Sequence, residues 1–247
     1  MKLHNFIAVA AAVVTAIGAA TIEHDKVQPF AQPHPVTISE KVAIRFKPSL
    51  AVEGGCHPYP AVNAAGEING GLKPSGSPSG GCEKPKLGSQ IYGRAGWHND
   101  LWAIMYAWYF PKDDPRIWSS HRHDWESIVV WIDNPDANPP VIQAIAVWGD
   151  DYSSFDVTTR YEDFVNGSSP NIRYNSEASL TDYRIDLVFL DDSAEFQDLI
   201  MWEQLTGEAR LALERTDFGD TKVPFNDATF QSRLDGAWPS KLTKRSS

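Results

Sequence analysis

Leu101-Trp102-Ala103-Ile104-Met105-Tyr106-Ala107-Trp108-Tyr109-Phe110 alternates large side chains (Trp102, Ile104, Tyr106, Trp108, Phe110) with mostly smaller ones. That period of two is what a β-strand requires. Pro111 and Pro115 are expected to end the strand and to open a connection carrying Asp113. Working outward, a second strand is expected over 125–132, closed by Asn134-Pro135, and a third over 141–148, turning at Gly149-Asp150-Asp151. Another is expected over 182–190. Several antiparallel strands separated by turn signals predict a β-sandwich. Residues 36–46 alternate as well, in a pattern that fits either a strand or a short helix. Further on the period lengthens. Residues 194–205, with Ser193 before them and Phe196, Leu199 and Ile200 on one face, read as an amphipathic helix. A second helix is expected over 208–215 with Thr206 as its cap, and a short one after Asn226 carrying Phe230 and Leu234. All three are expected to pack on the sandwich.

A chain of 247 residues suits a single domain. Residues 1–20 read as a secretory signal: Lys2 supplies the positive start, positions 6–17 are almost wholly apolar, and Gly18-Ala19-Ala20 offers a cleavage site. That run is too short to span a membrane, and no later stretch is longer. Residues 21–35, punctuated by Pro29, Pro33 and Pro35, read as a mobile lead-in, leaving 36–247 as the domain. The formal net charge is −10, and loss of Lys2 with the leader makes it one unit more negative. Such acidity argues against nucleic acid or an anionic lipid surface as the main partner. Nine Trp and eight Tyr suit binding surfaces and membrane interfaces as well as a β-rich core. Two cysteines in an exported chain, Cys56 and Cys82, favour one disulfide, which staples the Gly/Pro/Ser-rich stretch 52–89. Asn166-Gly167-Ser168 matches a glycosylation acceptor.

The chemistry concentrates in Ser119-Ser120-His121-Arg122-His123-Asp124-Trp125-Glu126, with Asp113-Asp114 upstream. On a strand from 124 onward, Asp124 and Glu126 share one side and Trp125 takes the other. His121, placed on the loop before the strand, can fold back over that side, and Asp113 approaches from the neighbouring connection. Three carboxylates and an imidazole around a small volume repel unless a divalent cation joins them. Oxygen ligands favour calcium, magnesium or manganese over zinc. Arg122 is a candidate outer partner of a carboxylate. Two other readings of the same residues stand beside this one. One is a polar network neutralised by Arg122. The other is a hydrolase in which His123 or Glu126 activates a metal-bound water. No Gly-x-Ser-x-Gly elbow supports a serine triad.

Ala103 through Asp113, together with His121-Arg122-His123-Asp124-Trp125-Glu126, resembles the signature of the necrosis- and ethylene-inducing peptide-like proteins. Gln197-Asp198-Leu199-Ile200-Met201-Trp202-Glu203-Gln204-Leu205 and Val223-Pro224-Phe225-Asn226-Asp227-Ala228 extend the likeness. Oomycetes and fungi associated with plants secrete such proteins. The resemblance implies an α+β fold: an antiparallel β-sandwich flanked by helices, similar to actinoporins and fungal lectins. It implies a non-enzymatic cytolysin that binds plant plasma-membrane sphingolipid headgroups. It places a divalent cation, calcium or magnesium, on Asp113, His121, Asp124 and Glu126, with Asp113 and Asp124 as the direct ligands. Asp182 becomes a headgroup contact, and segment 103–126 a pattern for plant immune receptors. The chain departs from the family pattern in three places. Ser120 stands where the heptapeptide usually opens with Gly. Trp148 precedes Gly149 where many members have His-Gly, and Tyr183 follows Asp182 where many have Asp-His. Two imidazoles are thereby lost from the rim. The resemblance therefore also admits a secreted non-cytolytic effector or glycan-binding member, and less readily a metal-dependent hydrolase.

Overall fold

The computed structural model describes residues 19–115, 120–149, 154–175, 183–191 and 193–243. In chain order the elements are β1 (Thr21–Ile22), α1 (Ile38–Arg45), β2 (Ser49–Val52), β3 (Ile68–Asn69), β4 (Gln90–His98), β5 (Leu101–Asp113), β6 (His121–Ile132), β7 (Ile142–Trp148), β8 (Phe155–Thr158), β9 (Val165–Asn166), β10 (Ser169–Asn175), β11 (Arg184–Leu187), β12 (Asp198–Met201), α2 (Gly207–Arg215) and α3 (Phe230–Gly236). One sheet runs β12-β4-β5-β6-β7-β8. The other runs β11-β10-β2, with β9 added to β10.

The alternation of β5 decides how these layers stack. Phe110 lies directly across from Asp124 and shares its face, and Phe110 stacks on Tyr174 of β10 with ring centroids 3.9 Å apart. Asp124 and Glu126 therefore face the smaller sheet. On the opposite face Trp125 packs against Phe218 and Phe225, and Trp131 donates its indole N–H to the Ala237 carbonyl at the end of α3. The segment 218–237, which ends in α3, thus covers the outer face of the large sheet, and the result is the expected α+β sandwich.

Several elements differ from the sequence-based expectation. The strand begun at Leu101 does not stop at Pro111 but runs on to Asp113, and its partner starts at His121 rather than at 125. The ladder tolerates the proline because Pro111 and His123, which would oppose each other, drop out of the pairing, while Lys112↔Arg122 and Asp113↔His121 resume it. His121 accordingly sits on the strand, across from Asp113, and not on a preceding loop. Residues 36–46 resolve as helix because Thr37 and Glu40 form a reciprocal capping box. The helix expected over 194–205 is absent. Residues Leu199, Ile200 and Met201 are buried consecutively in β12, which pairs in parallel with β4, and a 3-10 turn follows at Trp202–Gln204. A strand buried on both faces shows an unbroken apolar run, and here that run mimicked a helix face. The helices over 208–215 and after Asn226 are present as α2, capped by Thr206, and α3. Among the described residues of the 182–190 strand, Arg184–Leu187 forms β11.

Residues 21–35, read as a lead-in, are fastened to the domain. Thr21–Ile22 pairs with Ile68–Asn69, Val27 is buried, and the Phe30 N–H donates to Gln90 Oε1 at 2.7 Å. Cys56 and Cys82 are bonded across 26 positions, with both residues fully buried. Replacing both with alanine is expected to cost about 3 kcal/mol through loss of the loop constraint in the unfolded chain. Urea titration of the double variant checks this, and an unchanged midpoint would refute it.

Candidate functional site

The β5–β6 pair carries the acids to one end of the sandwich. Asp113 ends β5, His121 starts β6 opposite it, and Asp124 and Glu126 follow at the period of two. Asp113 and Asp124 are 0% exposed and Glu126 is 1% exposed. Asp113 Oδ1 accepts from the Tyr183 N–H at 3.3 Å, and its Oδ2 lies 3.9 Å from His121 Nε2. Asp124 Oδ1 accepts from the Trp125 N–H at 2.8 Å. Among the described residues, Glu126 Oε2 has no hydrogen-bond partner. Burial, then the charges of Asp124 and Asp113, push the Glu126 carboxyl well above the usual carboxylate range, against the opposing pull of Arg233.

The histidines divide the work between them. His123 adopts φ 64°, a left-handed conformation that interrupts the strand alternation. Its Nδ1 is hydrogen-bonded to the Tyr109 hydroxyl at 2.6 Å, and its ring meets Phe218 edge-on. Burial, with Arg122 and His121 nearby, pulls its pKa down to about 4, so the ring is neutral near pH 7. The backbone carbonyl of His123 in turn accepts from His121 Nδ1 at 2.7 Å. That bond fixes the orientation of the His121 ring and turns Nε2 toward Asp113.

Neighbouring loops hold this end in place. Arg122 donates to the carbonyls of Gly70 (2.8 Å) and Gly71 (3.2 Å), so it serves the 70s loop and not the carboxylates as expected. Gly71 has φ 62°, and a Cβ there would stand 2.7 Å from Arg122 Cγ and 2.8 Å from His123 Cε1, so the close approach needs glycine. Lys112 offsets Asp114 at 3.5 Å and donates to the Ser77 carbonyl at 2.8 Å. Ser120, the residue at the usual glycine position, donates its hydroxyl to Asp114 Oδ1 at 3.1 Å.

The rim carries the two departures. Trp148 lies under the Arg233 guanidinium, 3.5 Å from Cζ to the ring centroid. Burial pulls the Arg233 pKa down to about 10, with Glu126 acting the other way. Tyr183 is buried on Tyr174, with centroids 5.4 Å apart and Gly55 pressed close against both rings. A cleft of about 300 Å³ opens between β7–β8 and β11, lined by Trp148, Asp156, Thr158 and Asp186 among others. Asp186 also acts on the Glu126 carboxyl, so the cleft and the acids are neighbours. Asp182 lies outside the described residues. Sequence reasoning did not find Arg233 or Tyr109. A lone arginine on a C-terminal helix and a tyrosine within an apolar strand carry no local signal of proximity to the acids.

The donor chemistry fits a hard divalent cation: carboxylate oxygens, one of them without a partner, and an imidazole nitrogen already turned inward. As the side chains stand, no three His, Cys, Asp or Glu groups among the described residues are gathered closely enough to hold an ion. A divalent ion held there would need the acids drawn closer together.

Residues 40–237 match the family described as necrosis inducing protein (NPP1). The chain is 50% identical over 240 residues to NLP effector protein 3 of Phytophthora capsici, covering 97% of this chain and all of the relative. Its fold is similar to that of the non-toxic HaNLP3 protein, with TM-score 0.82 and 46% identity over 87% of this chain and 99% of that one. It is also similar to NLPPya in complex with mannosamine, with TM-score 0.80 and 40% identity over 89% of this chain and 99% of that one.

Proposed function

Because the chain belongs to the necrosis inducing protein (NPP1) family, we propose that it is an exported, non-enzymatic toxin of plant plasma membranes. It binds glycosylated sphingolipid headgroups through a divalent cation, calcium or magnesium, and damages the bilayer. The observation that carries this reading is the convergence of Asp113, Asp124, Glu126 and His121 at one sandwich end. Asp113 and Asp124 are the direct ligands, and His121 and Glu126 stand behind them. When bound, the ion supplies a Lewis-acidic centre for sugar hydroxyls. The adjacent cleft, at about 300 Å³, has room for a hexose. Asp182 is assigned as a further headgroup contact, and the amino sugar seen with NLPPya fits an acidic rim. Leader 1–20 provides export, in keeping with a disulfide that needs an oxidising compartment. No helix among the described residues is long and apolar enough to cross a membrane. Plant immune receptors read segment 103–126 only once it is released, because Ala103 to Phe110 is fully buried.

Dye leakage from vesicles with and without glycosylated sphingolipids, in calcium and in chelator, tests the proposal. Leakage is expected only where both sugar and cation are present. Equal leakage from sugar-free vesicles would refute it. A second reading, a non-lytic glycan-binding effector, is favoured by one specific observation: Trp148 and Tyr183 occupy the rim in fixed stacks. That reading predicts calcium-dependent binding to the same vesicles with no dye release.

A further inference from the structure

We propose that Asn166 carries an N-linked glycan whose innermost sugar lies over an aromatic patch formed by Phe164 and Phe189; the inference rests on the chain being exported. Asn166-Gly167-Ser168 is the only Asn-Xaa-Ser/Thr in the sequence. In the fold it makes the turn between β9 and β10, where Asn166 pairs with Ser169 and Gly167 takes φ 67° with open space around it. Asn166 is exposed, and among the described residues its side-chain amide makes no hydrogen bond. The Ser168 hydroxyl donates to the Arg45 carbonyl at 2.7 Å in the folded chain. Transfer of the sugar therefore belongs to the nascent chain, before folding engages that hydroxyl.

The transfer balances without redox change. The Asn166 amide nitrogen attacks C1 of the terminal N-acetylglucosamine of a polyisoprenyl-pyrophosphate oligosaccharide. A C–N bond forms, the C1–O bond breaks, the amide loses a proton to base, and the lipid pyrophosphate leaves.

A second observation lies beside the first. Phe189 is 67% exposed and Leu190 61% exposed, and Phe189 packs against Phe164 with centroids 5.3 Å apart. Phe164, Leu187, Phe189 and Leu190, together with the charged Arg173 and Asp191, line a groove of about 470 Å³. Contiguous exposed apolar surface of this kind marks a place that something covers. Phe164 stands two residues before Asn166 in the chain, and the apolar face of a sugar ring packs well on an aromatic one. The glycan is also clear of the acids. Ser169 and Asn175 are at opposite ends of β10, about 20 Å apart at strand rise, and only the Tyr174 end meets Tyr183 and the site.

Expression of the full chain, with its own N-terminal segment, in a eukaryotic secretory host tests the inference. The protein in the medium is expected to be heavier than its sequence by one glycan, which peptide N-glycosidase removes, leaving an aspartate. Asn166→Gln and Ser168→Ala are each expected to run at the unmodified mass. An apolar fluorescent dye is expected to bind weakly to the glycoprotein and to protein trimmed to a single sugar. Binding should rise on complete removal, and should not rise in a Phe164→Ala/Phe189→Ala double variant. Protein in the medium at unmodified mass would overturn this inference alone and leave export standing. Unmodified protein held in the cytosol would overturn export and this inference with it. A glycan whose removal leaves dye binding unchanged would overturn its placement on the patch.

Discussion

Asp124→Asn is expected to abolish the stabilisation that calcium gives the wild type and, with it, cation-dependent leakage. Asp124 is fully buried beside Asp113 and Glu126, and one oxygen is already committed to the Trp125 N–H. Asparagine keeps an oxygen for that backbone bond and has nearly the same shape, so the fold is retained. What it removes is the negative charge, and a hard divalent ion depends on that charge. A loss of about 100-fold in affinity corresponds to about 2.7 kcal/mol. In the wild type, calcium at 100 times its Kd stabilises the fold by about the same amount. For a domain of this size that is a melting-temperature rise of about 5–10 °C. The variant is expected to show almost none of it. Differential scanning calorimetry with calcium and with chelator gives the answer, and a variant that keeps the full shift would remove Asp124 from the ligand set. Leakage measured on the same samples then separates two cases: a wild type that binds calcium and leaks, and one that binds calcium and does not.

How far the sequence alone could go is best seen in neighbouring residues. The β5 strand was readable because Trp102, Ile104, Tyr106, Trp108 and Phe110 alternate with mostly smaller residues at the period of two that a strand imposes. Asp124 and Glu126 were readable as one face for the same reason, and Asp113 as a neighbour because a short connection joins adjacent strands. The position of His121 was not readable. It depends on the left-handed backbone of His123, which the Tyr109 hydroxyl, the Phe218 ring and Gly71 hold in place. Those three partners lie 14 or more positions away, so no window around 121–126 contains the cause. β12 failed for the converse reason. Its residues satisfy a helix period, but the free edge of β4 offered Asp198 to Met201 a parallel pairing, and that tertiary option outweighed the local one. Arg233 shows the same limit in charge. Its effect on Glu126 arises only when α3 is laid across the sheet.

That buried charge makes Glu126→Gln the substitution with two opposite consequences. Without a cation, Glu126 is a carboxyl held at 1% exposure among two other acids, and its surroundings favour the protonated form despite Arg233. A group whose folded pKa is raised contributes stability that is fully present below its unfolded value of 4.5 and is lost as pH rises toward the folded value. The loss amounts to about 1.4 kcal/mol for each pH unit across that window. Glutamine has the shape of the protonated acid and never ionises. In chelator, Glu126→Gln is therefore expected to match the wild type near pH 4.5 and to be the more stable of the two at pH 7. Calcium is expected to reverse the order, because the ion takes the place of the proton in the wild type and finds one negative charge fewer in the variant. Urea unfolding at both pH values, each with calcium and with chelator, measures the four stabilities. A variant less stable than the wild type at pH 7 in chelator would mean that Arg233 already neutralises Glu126. The acid would then be an internal ion pair, and the case for a cation at this end of the sandwich would fall to Asp113 and Asp124 alone.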